Sequence, residues 1–167
     1  MKKIALISDN HSYFGSDIYS AIKDCDEIWH SGDIGDPESV RPFENIGIFK
    51  AVYGNIDDIR IRSKYPESLE WNCEGIKVFM THIGGYPGKY PSGIRLLLEE
   101  IKPDLFICGH SHILKVIPDN KLKLLHMNPG AYGHHGFHQI RTLLRFEVHQ
   151  GKIQNLNAVE LGMRGIL

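Results

Sequence analysis

The chain is short of several things, and each shortage narrows what it can be. It holds three cysteines in 167 residues, Cys25, Cys73 and Cys108. An odd number without metal-type spacing argues against a disulfide framework and a thiolate metal site, and for free thiols in a reducing cytoplasm. No apolar run reaches membrane-spanning length. The opening Met1–Ile7 is too short, and is interrupted too soon by Asp9 and His11, to serve as a signal peptide. Excess charge is missing too: 19 Lys and Arg against 20 Asp and Glu leave a net charge of −1. With no basic stripe and no appended domain, a nucleic-acid polymer is not the expected partner. No serine sits in a Gly-x-Ser-x-Gly elbow, so a serine nucleophile of that kind is excluded. Repeats, linkers and low-complexity stretches are absent, and residues 1–167 read as one domain.

The apolar pattern is that of an α/β chain. Lys3–Ser8 reads as a buried strand, followed by a helix over roughly Gly15–Asp24, where Phe14, Ile18, Ala21, Ile22 and Cys25 recur at helical spacing. Glu27–His30 is a second strand, Pro37–Asn45 a second helix and Phe49–Tyr53 a third strand. That rhythm indicates βαβ units and a parallel sheet. Ser68–Trp71 and Ile76–Thr81 flank a hairpin turn at Asn72–Gly75. Ser92 is the expected N-cap of a helix carrying Ile94, Leu97, Leu98 and Ile101 on one face and closing at Lys102-Pro103. Leu105–Cys108 is the next strand. The last third is mostly β: a pair at Leu114–Ile117 and Leu122–His126, a turn at Asn128-Pro129-Gly130, an alternating strand through Leu144, Phe146 and Val148, a turn at His149–Lys152, and a strand over Ile153–Glu160. Two facing sheets with helices outside accommodate these elements.

What is abundant is the metal-binding side chain at the end of a strand. Asp9-Asn10-His11, Gly32-Asp33, Gly54-Asn55, His82 and Gly109-His110-Ser111-His112 each follow an extended run. Singly, each is an ordinary turn or cap. Together they place two carboxylates, an amide and four imidazoles at consecutive strand ends, where open α/β sheets hold their ligands. His110 and His112, two apart on an extended backbone, would project to one side. Imidazole suits transition metals, and the oxygen donors extend the choice to manganese.

In this order the motifs Asp9-x-His11, Gly32-Asp33, Gly54-Asn55-x-Asp57, His82 and Gly109-His110-x-His112 resemble the calcineurin-like metallophosphoesterases, above all their small single-domain prokaryotic phosphodiesterases. The resemblance spans nearly the whole chain. It implies a four-layer sandwich, with two mixed β-sheets packed face to face and flanked by α-helices. It implies a binuclear site: Asp9, His11, Asp33 and His112 on one divalent ion, Asn55, His82 and His110 on the other, Asp33 bridging. Manganese is the expected metal, with zinc, iron or nickel as alternatives. The implied activity is phosphodiester hydrolysis of a small soluble substrate by attack of a metal-bridging hydroxide, with Asp33, Asn55 and Asp57 in the catalytic group. Asp57 is given a supporting or helix-capping part. Many relatives carry histidine at the position of Ile56, which cannot transfer a proton. Asn10, His134, His135, His138 and Arg141 are candidate substrate contacts, in a stretch that also carries His126. His30 is expected to support the site without ligating. A catalytically weak metal-binding interaction module of the same fold is the alternative, and self-association into a homo-oligomer is left open.

Overall fold

The computed structural model describes residues 1–165. The first parallel unit is formed by β1 (Lys2–Ile7), β2 (Glu27–His30) and β3 (Ile48–Ala51), with β1 pairing parallel to β2 and β2 to β3. The long hairpin β9 (Ile140–His149) and β10 (Lys152–Met163) closes this sheet on the other side of β1, giving the order β10-β9-β1-β2-β3. A second sheet, in the order β4-β5-β6-β8-β7, combines β4 (Ser68–Cys73), β5 (Ile76–Thr81), β6 (Leu105–Ile107), β7 (Leu114–Asp119) and β8 (Leu124–Pro129). Its three inner strands are parallel, and its two edge strands are antiparallel to their neighbours.

Alternation along β1 shows how four layers arise from buried strands. Ile4 and Leu6 point between the sheets, into a core with Trp29, Val78, Met80, Leu105, Ile107, Met127, Phe146 and Val148. Ala5 and Ile7 point the opposite way, joining Ile18, Ile22, Phe43 and Ile61 from α1 (Ser16–Ile22), α2 (Arg41–Glu44) and α3 (Ile59–Arg62). From Ile4 to Ile7 neither face of β1 meets water, and that stretch is accordingly apolar without a break. The outer face of the second sheet is covered by α4 (Ser92–Ile101), with Leu98 packed near Phe79, Phe106 and Leu124. The expected sandwich of two mixed sheets between helices is thus the observed fold.

Local boundaries differ in instructive ways. The helix expected over Pro37–Asn45 is broken into a 3-10 turn at Pro37–Ser39 and the four-residue α2. Pro42 has no N–H to continue an earlier turn and sits instead in the first turn of a new one. Ser92 does not cap α4: the cap position is Pro91, and no side chain closes that end. Asn128 and Pro129 belong to β8, and only Gly130 turns, at φ +74°. The hairpin turn after β4 narrows to Glu74-Gly75, both at positive φ, the two-residue form that matches strand twist.

Candidate metal centre

The C-terminal ends of β1, β2 and β3 in one sheet and of β5 and β6 in the other open onto one cleft. Backbone hydrogen bonds tie these ends together: Asp9 N–H donates to the Gly32 carbonyl and Gly109 N–H to the His82 carbonyl. The two sheets are stitched directly to each other where His110 N–H donates to Asp9 Oδ2, at 3.1 Å.

Two trios of donors result. One ligand atom from each of Asp9, His11 and His112 lies within 4.8 Å of the others, and the same holds for Asp33, His82 and His110. Asp33 reaches toward both: Oδ2 is 3.7 Å from His11 Nε2, and Oδ1 is 3.2 Å from His82 Nε2. Asn55 Oδ1 lies 3.1 Å from His82 Nε2. His110 and His112 do not project together as extended spacing predicts. Both have left-handed backbone, at φ 66° and 57°, and each ring joins a different trio. Asp9, His11 and Asp33 are also left-handed, at φ 56°, 46° and 56°. Left-handed backbone is uncommon outside glycine, and its concentration at these candidate donors marks a locally strained segment of the kind that clusters at functional sites.

Small residues let the loops approach. A Cβ on Gly54 would lie 2.0 Å from Asp33 Oδ1, and one on Gly109 would lie 2.2 Å from Ser8 Oγ.

The imidazoles are oriented from behind. His82 Nδ1–H donates to the Ser31 carbonyl at 2.7 Å, which leaves Nε2 facing the carboxylates. His138 Nε2–H donates to the Gly133 carbonyl at 3.0 Å, and its Nδ1, 3.3 Å from His112 Nδ1, accepts from that ring. This relay frees His112 Nε2 toward Asp9 Oδ1, 3.2 Å away. Such outer hydrogen bonds set the tautomer a metal ligand needs. Burial pushes the pKa of His11 and His138 down, against nearby carboxylates in the first case and the Gly133 carbonyl in the second. For His82 burial acts the same way, but the Asp33 and Asp9 carboxylates outweigh it and raise the pKa. Burial would raise Asp33, yet His82 and the Ile56 N–H hold it low.

Several expected contacts have other employment. Asp57 is buried and accepts from Gly35 N–H and Gly54 N–H, each at 2.7 Å, so it clamps two loops rather than touching the cleft. It does not cap α3 either, since Asp58 does. Asn10 is fully buried and spends its amide on Tyr13, Ser39 and His30. Arg141 binds Asp17 and the Leu161 carbonyl at 2.7 Å each, beneath the Tyr13 ring. His134 bonds the Arg164 carbonyl and packs on Tyr13. His126 lies on β8 against Phe106 and Tyr90 in the outer core of the second sheet. Of the expected substrate contacts only His135 lines the cleft, its ring centroid 4.6 Å from that of His11. His30 is buried and supports the site as expected, accepting from Gly32 N–H at Nδ1. Ser31, Arg62 and Phe137 escaped the sequence reading. Ser31 acts through its carbonyl, which no side-chain pattern reports. Arg62 donates to the Asp57 and Asn55 carbonyls beside a second hollow shared with His82. Phe137 lines the cleft itself.

Comparison with known proteins gives the family of the chain. Residues 1–151 match the calcineurin-like phosphoesterase superfamily domain, and the chain belongs to that superfamily. A probable metallophosphoesterase of Methanothermobacter thermautotrophicus is 28% identical over 77% of this chain and 76% of its own length. One of Methanocaldococcus jannaschii is 32% identical over 77% of this chain and 67% of its own. Among solved structures, an archaeal phosphodiesterase superposes with a TM-score of 0.70 at 20% identity, covering 95% of this chain and 99% of that one. Vps29 of Entamoeba histolytica, complexed with zinc, gives 0.71 at 13% identity over 96% of this chain and 99% of that one. At these identities the structural likeness speaks for the fold.

Proposed function

We propose that this protein is a binuclear metal-dependent phosphodiesterase acting on a small phosphate ester, with Asp9, His11, Asp33 and His112 holding one divalent ion and Asn55, His82 and His110 the other. The observation that carries the reading is the position of Asp33, whose two oxygens face the two donor trios. The donor set fits metal on its own chemistry. Asp9 Oδ1 and His11 Nε2 are buried without a hydrogen-bond partner, and leaving such atoms unpaired is costly unless something else satisfies them. Histidine and carboxylate donors without thiolate suit manganese, with zinc, iron or nickel as alternatives.

When bound, a pair of divalent ions lowers the pKa of water and offsets charge on a phosphoryl group. The chain's own part is to hold that chemistry in place. Asp33 spaces the two trios, the Ser31 carbonyl and His138 fix the imidazole tautomers, and the Ile56 N–H steadies Asp33. Three buried free thiols fit a cytoplasmic setting. Among the described residues no helix is long and apolar enough to cross a membrane. The second reading, a catalytically weak interaction module, has Ile56 in its favour, since that side chain cannot protonate a leaving group.

Elemental analysis paired with manganese-dependent turnover of nitrophenyl mono- and diesters tests the proposal. Two metals per chain and faster diester turnover are expected. Asp33→Ala should lose both metals and Asp9→Ala chiefly one. Equal loss in the two variants would remove the bridging role, and faster monoester turnover would remove the diester preference.

A further inference from the structure

The cleft of about 360 Å³ that holds the donor atoms has an apolar rim that the metal chemistry does not use. Phe137 lines it with 105% of its reference surface exposed, and Ile56 lines it at 44%. A fully exposed phenylalanine on a floppy loop would mean little. This one stands on a loop pinned at both sides to the site. Before it, Gly136 at φ +120° lies so close to His112 that a Cβ would fall 2.2 Å from Nδ1. After it, His138 is held by His112 and by the Gly133 carbonyl, and Arg164 Nε donates to its carbonyl at 3.1 Å. The backbone is thus fixed beside a ligand ring while the phenyl ring itself rests on nothing. Isolated exposed apolar residues are ordinary, but an anchored aromatic beside a phosphate-sized site offers a flat face to a ligand.

We propose that Phe137 and Ile56 form an apolar subsite selecting phosphate diesters whose retained ester group, the one that stays on phosphorus, is planar and aromatic. This deepens, and rests on, the phosphodiesterase reading. Ile56 serves two ends in this arrangement: it adds apolar surface, and its inability to donate a proton favours esters whose departing oxygen is a weak base. Hydrolysis forms a bond from water oxygen to phosphorus and breaks the bond to the departing oxygen, which leaves with the electron pair. An aryl oxide carries that pair unaided, and the proton from water passes to solvent.

Two diesters with the same 4-nitrophenolate leaving group separate recognition from leaving-group chemistry: 4-nitrophenyl phenyl phosphate and 4-nitrophenyl methyl phosphate. Stacking on an aromatic side chain amounts to roughly tenfold in affinity. In the manganese-loaded protein, kcat/KM should favour the phenyl ester by about tenfold. Phe137→Ala should bring the ratio close to one, and Phe137→Trp should keep it. A ratio near one in the wild type, or one unchanged in Phe137→Ala, overturns the proposal. Binding gives an independent readout. Phenylphosphonate should shift the Ile56 methyl resonances and methylphosphonate should not, with the shift lost in Phe137→Ala. If the wild type hydrolyses neither ester, the phosphodiesterase reading fails, and an Ile56 response equal for both phosphonates would then sink the subsite as well, whereas a phenyl-selective one would uphold it.

Discussion

Individual side chains divide here into those that face the cleft and those that hold the facing ones still. Asp57 shows the second role most clearly. Its two oxygens accept from Gly35 and Gly54, one N–H in the loop after β2 and the other in the loop after β3. Gly54 in turn has its Cα against Asp33, so the carboxylate of Asp57 fixes how Asn55 and Asp33 meet. Hydrogen bonds to a charged acceptor contribute about 1.5–3 kcal/mol each, and losing both strands two backbone donors. Asp57→Ala should therefore destabilise the protein by about 3 kcal/mol, a Tm drop of roughly 6–12 °C for a chain of this size. It should also weaken metal retention by loosening Asn55. Asp57→Asn, which keeps one acceptor, should fall between. Thermal melts and metal titration of both variants check this, and an Asp57→Ala protein as stable as wild type would mean the clamp is dispensable. From the sequence Asp57 has a supporting or helix-capping part; the structure shows the support and gives the cap to Asp58, but which loops Asp57 joins was not legible. A side chain's partners across 22 residues are set by where loops meet, which local pattern does not encode.

At the scale of strands and helices, legibility followed burial. β1, β2 and β5 were readable because burial on two sides concentrates apolar residues into short runs, Ile4–Ile7, Ile28-Trp29 and Val78–Met80. The turns Glu74-Gly75 and Gln150-Gly151 lie within the stretches expected for them, because a glycine follows a polar residue between strand-like runs. The short helices were not, since four residues carry too little periodicity and Pro42 splits the pattern. That the candidate donors stand at strand ends was legible, yet the parting of His110 and His112 depends on left-handed backbone at non-glycine residues, which propensity argues against. Convergence of the candidate donors depends in turn on the two sheets facing each other, and Trp29 sits where they do. It is fully buried on β2, edge-on to Trp71 of β4 at 4.9 Å and to Phe146 of β9 at 5.6 Å. Its Nε1–H donates to Glu27. Trp29→Ala should cost about 3–5 kcal/mol, read as a lower urea midpoint. Saturating manganese should restore part of it, because only the folded sheets assemble the donors. A midpoint that manganese leaves unmoved would argue that the donors bind equally well in the unfolded chain.

The molecule as a whole is nearly neutral, so its pH response is decided by where its histidines lie rather than by net charge. His126 is the informative one because it stands apart from the metal donors. It is fully buried between Phe106 and Tyr90, with neither ring nitrogen hydrogen-bonded. Burial, assisted by the Lys115 charge and only partly opposed by Asp119, lowers its pKa to about 4. The neutral ring is therefore the folded form, while the unfolded chain takes up a proton near pH 6.5. A depressed folded pKa makes this contribution complete above pH 6.5 and progressively lost as pH falls from there toward 4. Each pH unit in that window removes about 1.4 kcal/mol, or about 2 kcal/mol between pH 6.5 and 5. His126→Leu cannot take up the proton and also fills the site with an apolar side chain. Its stability should fall less between pH 7 and 5 than that of the wild type, by about 2 kcal/mol, in urea unfolding of the metal-free protein. Measuring the metal-free form separates this effect from metal release, which acid drives independently by protonating the ligand imidazoles. Parallel pH profiles for the two proteins would show that acid sensitivity arises elsewhere, with the buried His30, lowered to about 3 by the same desolvation, as the next residue to replace.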